Sequence, residues 1–261
     1  MNDGAAAAEL LAQLPGWAFA AMLLVARLGS ACMLMPGIGE AELPMTVRAG
    51  FVLVLTILLL PVLAPDMPAV PPDVPTIMMM LIGEIVTGLW LGWLTRMILM
   101  ALPMAGQIIA GAIGMTNVLQ PDAFLGSGAA ALSRLLGLAA PVLVLASGLY
   151  LYPLAALVGS YRLIPAGHML PAGETTTAVV SALSVAFGLA LRLAAPFLMA
   201  SILFHGAFGV LGRLVPHLQT YFVAMPGQII GGLVLFGLLS AVMTSTWMSA
   251  AHDAFIALPG L

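Results

Sequence analysis

Charged side chains set in apolar runs are the residues of this chain with the most chemistry to answer for. Arg27 sits in the middle of MLLVARLGSACMLM, Arg192 in VAFGLALRLAAPFL and Glu84 in LIGEIVTGLW. At the centre of a bilayer such a charge costs about 2.5–3.5 kcal/mol on insertion scales, so it is paired, hydrated or put to use. Glu84 is the obvious intramembrane acid. One acid neutralises two separated arginines only if the fold gathers all three, or if further partners come from other chains. The trio could therefore form the midplane ion site of a secondary transporter, or it could mark runs that pack inside a protein assembly rather than against lipid.

A second concentration of polar groups lies in Ala101–Gly128, ALPMAGQIIAGAIGMTNVLQPDAFLGSG. Pro103, Gly106, Gly111 and Gly114 interrupt this apolar stretch, while Gln107, Thr116, Asn117, Gln120 and Asp122 place polar groups within it. Irregular backbone beside spanning helices is tolerated only where protein buries it or where it lines a water-filled cavity. The segment is thus a candidate lining or plug of a pore, against the plainer alternative of a glycine-rich turn between two helices.

Catalytic patterns are not evident. His168, His205, His217 and His252 are scattered, with neither an H-E-x-x-H helix nor metal-ligand spacing. Gly126-Ser127-Gly128 is shorter than a nucleophile elbow and follows no evident strand. All seven basic residues are arginine, so with no lysine both Schiff-base chemistry and lysine-based phosphate loops are excluded. Cys32 is the single cysteine, which rules out an intrachain disulfide and suits a small core residue. The expectation is a non-enzyme without metal or cofactor.

The elements that must position these residues are set by composition. Of 261 residues 62% are hydrophobic and 7% charged, with a mean hydropathy of +1.16; this is the composition of an integral membrane protein. A net charge of −3 gives no basic nucleic-acid surface. The N-terminus carries Asp3 and Glu9 where a cleavable signal would be positive, so the first apolar run is expected to be retained. Runs that meet the ~20 residues needed to cross hydrocarbon lie at 17–36, 48–64, 76–102, 131–159, 178–211 and 221–250. Pro61, Pro103, Pro141, Pro153, Pro196 and Pro226 fall in or beside them and predict bent hairpins. The proline-rich stretch 65–75 reads as an extended connector. Arg48, Arg96, Arg134 and Arg213 belong to one side of the membrane, and Arg162 with Asp3, Glu9, Asp66 and Asp73 to the other. By the positive-inside rule both termini then face outward. Small-xxx-small spacing at Gly88/Gly92 and Gly227/Gly231 predicts close helix packing. GQII occurs twice, at 106–109 and 227–230, an echo of the kind that transporter repeats leave.

From Arg27 to Arg48, RLGSACMLMPGIGEAELPMTVR, the chain resembles the FliR-like family of type III secretion export-gate proteins. The family opens with an arginine in its first apolar run, a closing proline, a second proline and an arginine opening the next run: here Arg27, Pro36, Pro44 and Arg48. The likeness continues through Gly83-Glu84 with Gly88 and Gly92, Ala105-Gly106 to Gly114-Met115, Ser160-Tyr161 with Pro165, and Gly209, Arg213, Pro216 and YFVAMPGQIIGGL at 221–233. It departs at Leu149-Tyr150-Leu151, where the family often has Gly-His, and at His217-Leu218-Gln219, where it often has Gln-Leu-Asn.

The resemblance implies an all-α membrane protein of kinked hairpins, with a FliP-like portion over about 1–176 and a FliQ-like portion over 177–261. It implies assembly with FliP-like and FliQ-like subunits in a helical ring, as one copy of this chain, near FlhB-like and FlhA-like export components. It further implies an inner-membrane place in a flagellar basal body, periplasmic termini, and unfolded protein substrates. Arg27, Arg48, Glu84, Arg192 and Arg213 become assembly charges. A plug loop falls on Gly111–Gly126 with Gly114, Met115, Asn117 and Phe124, its base at Gly106. An Ala/Gly-rich composition favours the flagellum over the equivalent subunit of a virulence injectisome. A structural subunit with an inert middle loop stands as a third possibility beside gate and transporter.

Overall fold

The computed structural model describes residues 3–115, 131–214 and 220–261, and among them the chain forms seven α-helices and no strand. They are α1 (Asp3–Cys32), α2 (Met45–Leu63), α3 (Val74–Ala112), α4 (Ala131–Ser147), α5 (Leu151–Leu163), α6 (Ala172–Leu214) and α7 (Thr220–Ile256). Gln13–Cys32, Met45–Asp66, Val74–Ala112, Gly173–Leu214 and Ala224–Ile256 are each long and apolar enough to cross a membrane. The α4–α5 pair makes a sixth span if counted as one broken crossing. The architecture is therefore an all-α, multi-pass membrane protein.

Helix starts and stops follow local chemistry. Asp73 caps α3: its carboxylate accepts hydrogen bonds from the Thr76 hydroxyl and, at 3.0 Å, from the Thr76 N–H, satisfying a donor that a helix start leaves free. These two bonds, the hydroxyl first, hold the Asp73 carboxyl below its ordinary pKa. At the other end Gly114, with φ +79°, closes α3 in the left-handed region that other residues rarely adopt. The 65–75 connector is extended only in part. Ala64–Asp66 continues α2 as a 3-10 turn and α3 already starts at Val74.

The prolines do not end the helices that hold them. Helical structure runs without interruption through Pro61, Pro103, Pro196 and Pro226. The run expected at 131–159 breaks instead at Gly148–Tyr150, where Gly148 takes φ +78° and its N–H reaches the Leu145 carbonyl at 3.3 Å. A left-handed glycine ends the helix outright; a proline removes only one donor, which neighbours can make good.

The chain forms two compact units, each discontinuous in sequence. One comprises residues 1–96, 145–180 and 255–261; the other 97–144 and 181–254. In the first, α1 is the central helix. Leu23, Leu24, Leu28, Ala31 and Cys32 are fully buried, in a core with Met35, Val52, Leu91 and Leu157. Gly88 and Gly92 let α3 lie directly on α1. A Cβ on Gly92 would stand 2.7 Å from the Ala31 carbonyl oxygen, and one on Gly88 would overlap Ser30 and the Arg27 carbonyl. In the second unit Trp247 of α7 is fully buried and donates its indole N–H to the Ile98 carbonyl at 3.1 Å. Ser133 of α4 donates to the Pro103 carbonyl at 2.8 Å. Two neighbouring helices thus bind the backbone around the α3 proline.

Candidate functional site

The most elaborate polar constellation surrounds Arg27, which is fully buried on α1. Its Nε donates to Glu84 Oε2 at 2.6 Å and one Nη to Glu84 Oε1 at 3.0 Å, a two-pronged pair between α1 and α3. The other Nη donates to Ser160 Oγ at 3.2 Å and to the Ile164 carbonyl at 3.0 Å. The guanidinium also lies 4.0 Å from the centre of the Tyr161 ring. Glu84, equally buried, accepts a further bond from the Gly167 N–H at 2.7 Å. Gly167 itself has φ +82°, and a Cβ there would run into the Met80 side chain.

Four of the five guanidinium N–H groups are used, so the pair is satisfied from within the unit. Desolvating two ions costs several kcal/mol each, and only such geometry with extra hydrogen bonds offsets it. The arrangement ties α1, α3, α5 and the 164–167 turn together. Both Glu84 oxygens and both Nη groups of Arg27 are engaged within the unit, so the pair reads first as a tie between elements.

The other charges grouped with them from sequence take different places. Arg48 is half-buried and donates to the Glu40 carbonyl and, at 3.0 Å, to the Leu43 carbonyl, fastening the turn between α1 and α2. Arg96, inside α3, pairs with Glu40 at 2.8 Å. Arg192 and Arg213, both on α6, are exposed and have no partner among the described residues. Of the five charges expected to serve assembly, Arg27 and Glu84 are buried within the chain itself. The α6 face carrying Arg192 is left for whatever surrounds the protein.

In the second unit the structure describes the base of the mid-chain segment. Gly106 is buried where α3 crosses α4, and a Cβ on it would stand 2.8 Å from the Ser133 Cα. Gly111 faces open space, and Gly114 and Met115 are half-buried. Asn117, Phe124 and Gly126 lie outside the described residues. Gln228 of α7 donates from Nε2 to the Ala112 carbonyl at 2.8 Å, holding the last turn of α3, and Gly232 packs against Ile113. Gln228 was visible from sequence only as a letter of the second GQII; Trp247 gave no signal at all, since one tryptophan in an apolar helix is unremarkable.

The two GQII copies are not equivalent. Gly106 is tightly covered, whereas Gly227 and Gly231 have nothing within reach and line a cleft of about 330 Å³ with Phe197 and Phe204.

No catalytic arrangement is assembled among the described residues. His205 Nδ1 lies 2.7 Å from the Ser201 carbonyl and 3.2 Å from its Oγ. A nitrogen that gives its proton to a carbonyl cannot take one from a serine. Nor does any group of three or more His, Cys, Asp or Glu side chains form a metal site among those residues.

Comparison with known proteins agrees with this architecture. The family described as "Bacterial export proteins, family 1" matches residues 18–254. The flagellar biosynthetic protein FliR of Caulobacter vibrioides is 29% identical over 229 residues, covering 88% of this chain and 91% of that protein. FliR of Escherichia coli is 25% identical over 208 residues, covering 78% and 77%. With the family match running from the middle of α1 to the last turn of α7, the chain belongs to the bacterial export proteins of family 1.

Proposed function

We propose that this protein is a subunit of the type III export gate of a bacterial flagellum, lodged in the inner membrane with both termini periplasmic. The observation that carries this reading is the near-complete alignment with FliR of Caulobacter vibrioides, which covers 88% of the chain. Geometry supports it. At 1.5 Å per residue α3, α6 and α7 are about 58, 64 and 56 Å long, roughly twice the ~30 Å of a hydrocarbon core, from 39, 43 and 37 residues. Helices of that length project beyond lipid and need protein around them. Arg192, near the middle of α6 and exposed, needs a carboxylate or a wet cavity from a neighbouring chain.

In this reading FliP-like and FliQ-like subunits surround one copy of the chain, whose residues 1–176 take the FliP-like part and 177–261 the FliQ-like part. Exposed Gly227 and Gly231 serve as packing faces for those partners. FlhB-like and FlhA-like components complete the export apparatus. Unfolded protein passes through a central pore, and the segment Gly111–Gly126 plugs it until substrate arrives; Met115 and Phe124 supply apolar, deformable sealing surface. The energy for transport comes from elsewhere, because the chain has no nucleotide motif and the one deeply buried acid among the described residues is locked to Arg27.

Deleting Gly111–Gly126 tests the plug. Complex assembly should persist while the membrane becomes leaky to small ions, and unchanged conductance would dispose of the plug. Loss of motility on deleting the whole chain separates a flagellar from an injectisome role.

A further inference from the structure

Two charges of the first unit take no part in the network around Arg27. Arg162 stands in the last turn of α5 and Asp66 at the end of the 3-10 turn after α2. Both are exposed, and neither has a partner among the described residues. They line the same cleft, about 1110 Å³ in volume, whose walls include Leu63, Met67, Val158 and Tyr161. Tyr161 is nine-tenths buried, yet its hydroxyl has no hydrogen-bond partner among the described residues.

Position sharpens this chemistry. Asp66 is the last residue of one candidate membrane span and Arg162 the penultimate residue of another. Both thus close runs apolar enough to lie in hydrocarbon, with apolar walls beside them. A single cation there would attract any phosphate, and guanidinium suits phosphate oxygens well. Asp66 adds selectivity, because its carboxylate repels a purely anionic headgroup and accepts from an ammonium.

We propose that the cleft between α2, α5 and the 165–166 turn binds phosphatidylethanolamine, its phosphate on Arg162, its ammonium on Asp66 and an acyl chain along the apolar wall. The site lies wholly within the first unit and does not depend on the gate reading. It would make this corner of the protein a lipid-filled joint where a partner subunit would otherwise have to close the gap.

The test is native mass spectrometry of the full chain, extracted with whatever subunits accompany it, delipidated and then titrated separately with phosphatidylethanolamine and phosphatidylglycerol. Wild type should retain one phosphatidylethanolamine in preference to phosphatidylglycerol. Arg162→Gln should weaken both by about tenfold, the order of one lost charge-assisted contact, and Arg162→Lys by only a few-fold. Asp66→Asn should abolish the preference while leaving phosphatidylglycerol bound, and Arg134→Gln, on the exposed face of α4, should change nothing. Equal binding of both lipids by wild type, or binding unaffected by Arg162→Gln, would overturn the proposal. So would a photo-crosslinker at Met67 that captures a protein chain in place of lipid.

Discussion

Arg27 and Glu84 illustrate how differently a buried pair and its halves behave. Removing one partner strands a charge that is completely shut from solvent, so Arg27→Ala or Glu84→Ala should destabilise the first unit by about 3–5 kcal/mol, read as early thermal unfolding in detergent. Replacing both by Met should cost much less, because no ion is then left alone. Arg27→Lys is not a mild change. An ammonium cannot hold both Glu84 oxygens, Ser160 and the Ile164 carbonyl together. If the double Met variant proved as unstable as either alanine variant, the loss would lie in the pair's own hydrogen bonds and not in a stranded charge.

Helix contacts carry the next level. Gly92→Leu should prevent α3 from lying on α1, since the added side chain would start 2.7 Å from the Ala31 carbonyl; unfolding or loss of expression is the expected outcome. Gly231→Ala, with open space around it, should leave the chain itself intact and lower recovery of partner subunits in a pull-down. The Asp73 cap predicts a pH effect. Its folded pKa lies below the unfolded value, so its stabilisation is full above the ordinary carboxylate range and is lost as pH falls through the depressed value. Amide exchange at Thr76 should accelerate there, and Asp73→Ala should show the faster exchange at neutral pH.

How much of this was legible depended on range. The apolar runs long enough to span and the closeness demanded by Gly88 and Gly92 are local patterns of apolarity and small residues, and both are readable. The Arg27–Glu84 pair spans 57 positions, so sequence could name its members without joining them. The break at Gly148 was hidden because Pro141 and Pro153 on either side drew attention as the breakers, and a glycine's left-handed conformation leaves no mark in composition.

For the molecule as a whole, two compact units with exposed apolar faces pose one question, namely what covers them. On α6, Met199, Ile202, Leu203 and Val210 are exposed, as are Val234, Leu238 and Val242 on α7. Acyl chains can cover such faces, but they cannot pair Arg192 near the middle of α6. Placing a carboxylate-reactive crosslinker at Arg192→Cys should therefore trap an acidic residue of a neighbouring subunit in intact membranes; trapping nothing but lipid would mean that the guanidinium is hydrated instead. The most direct measurement is the composition and mass of the particle recovered from native membranes through a tag on this chain. The account predicts a stable hetero-oligomer in which one copy elutes with FliP-like and FliQ-like chains. A monodisperse, lipid-surrounded monomer that retains its fold alone would contradict it.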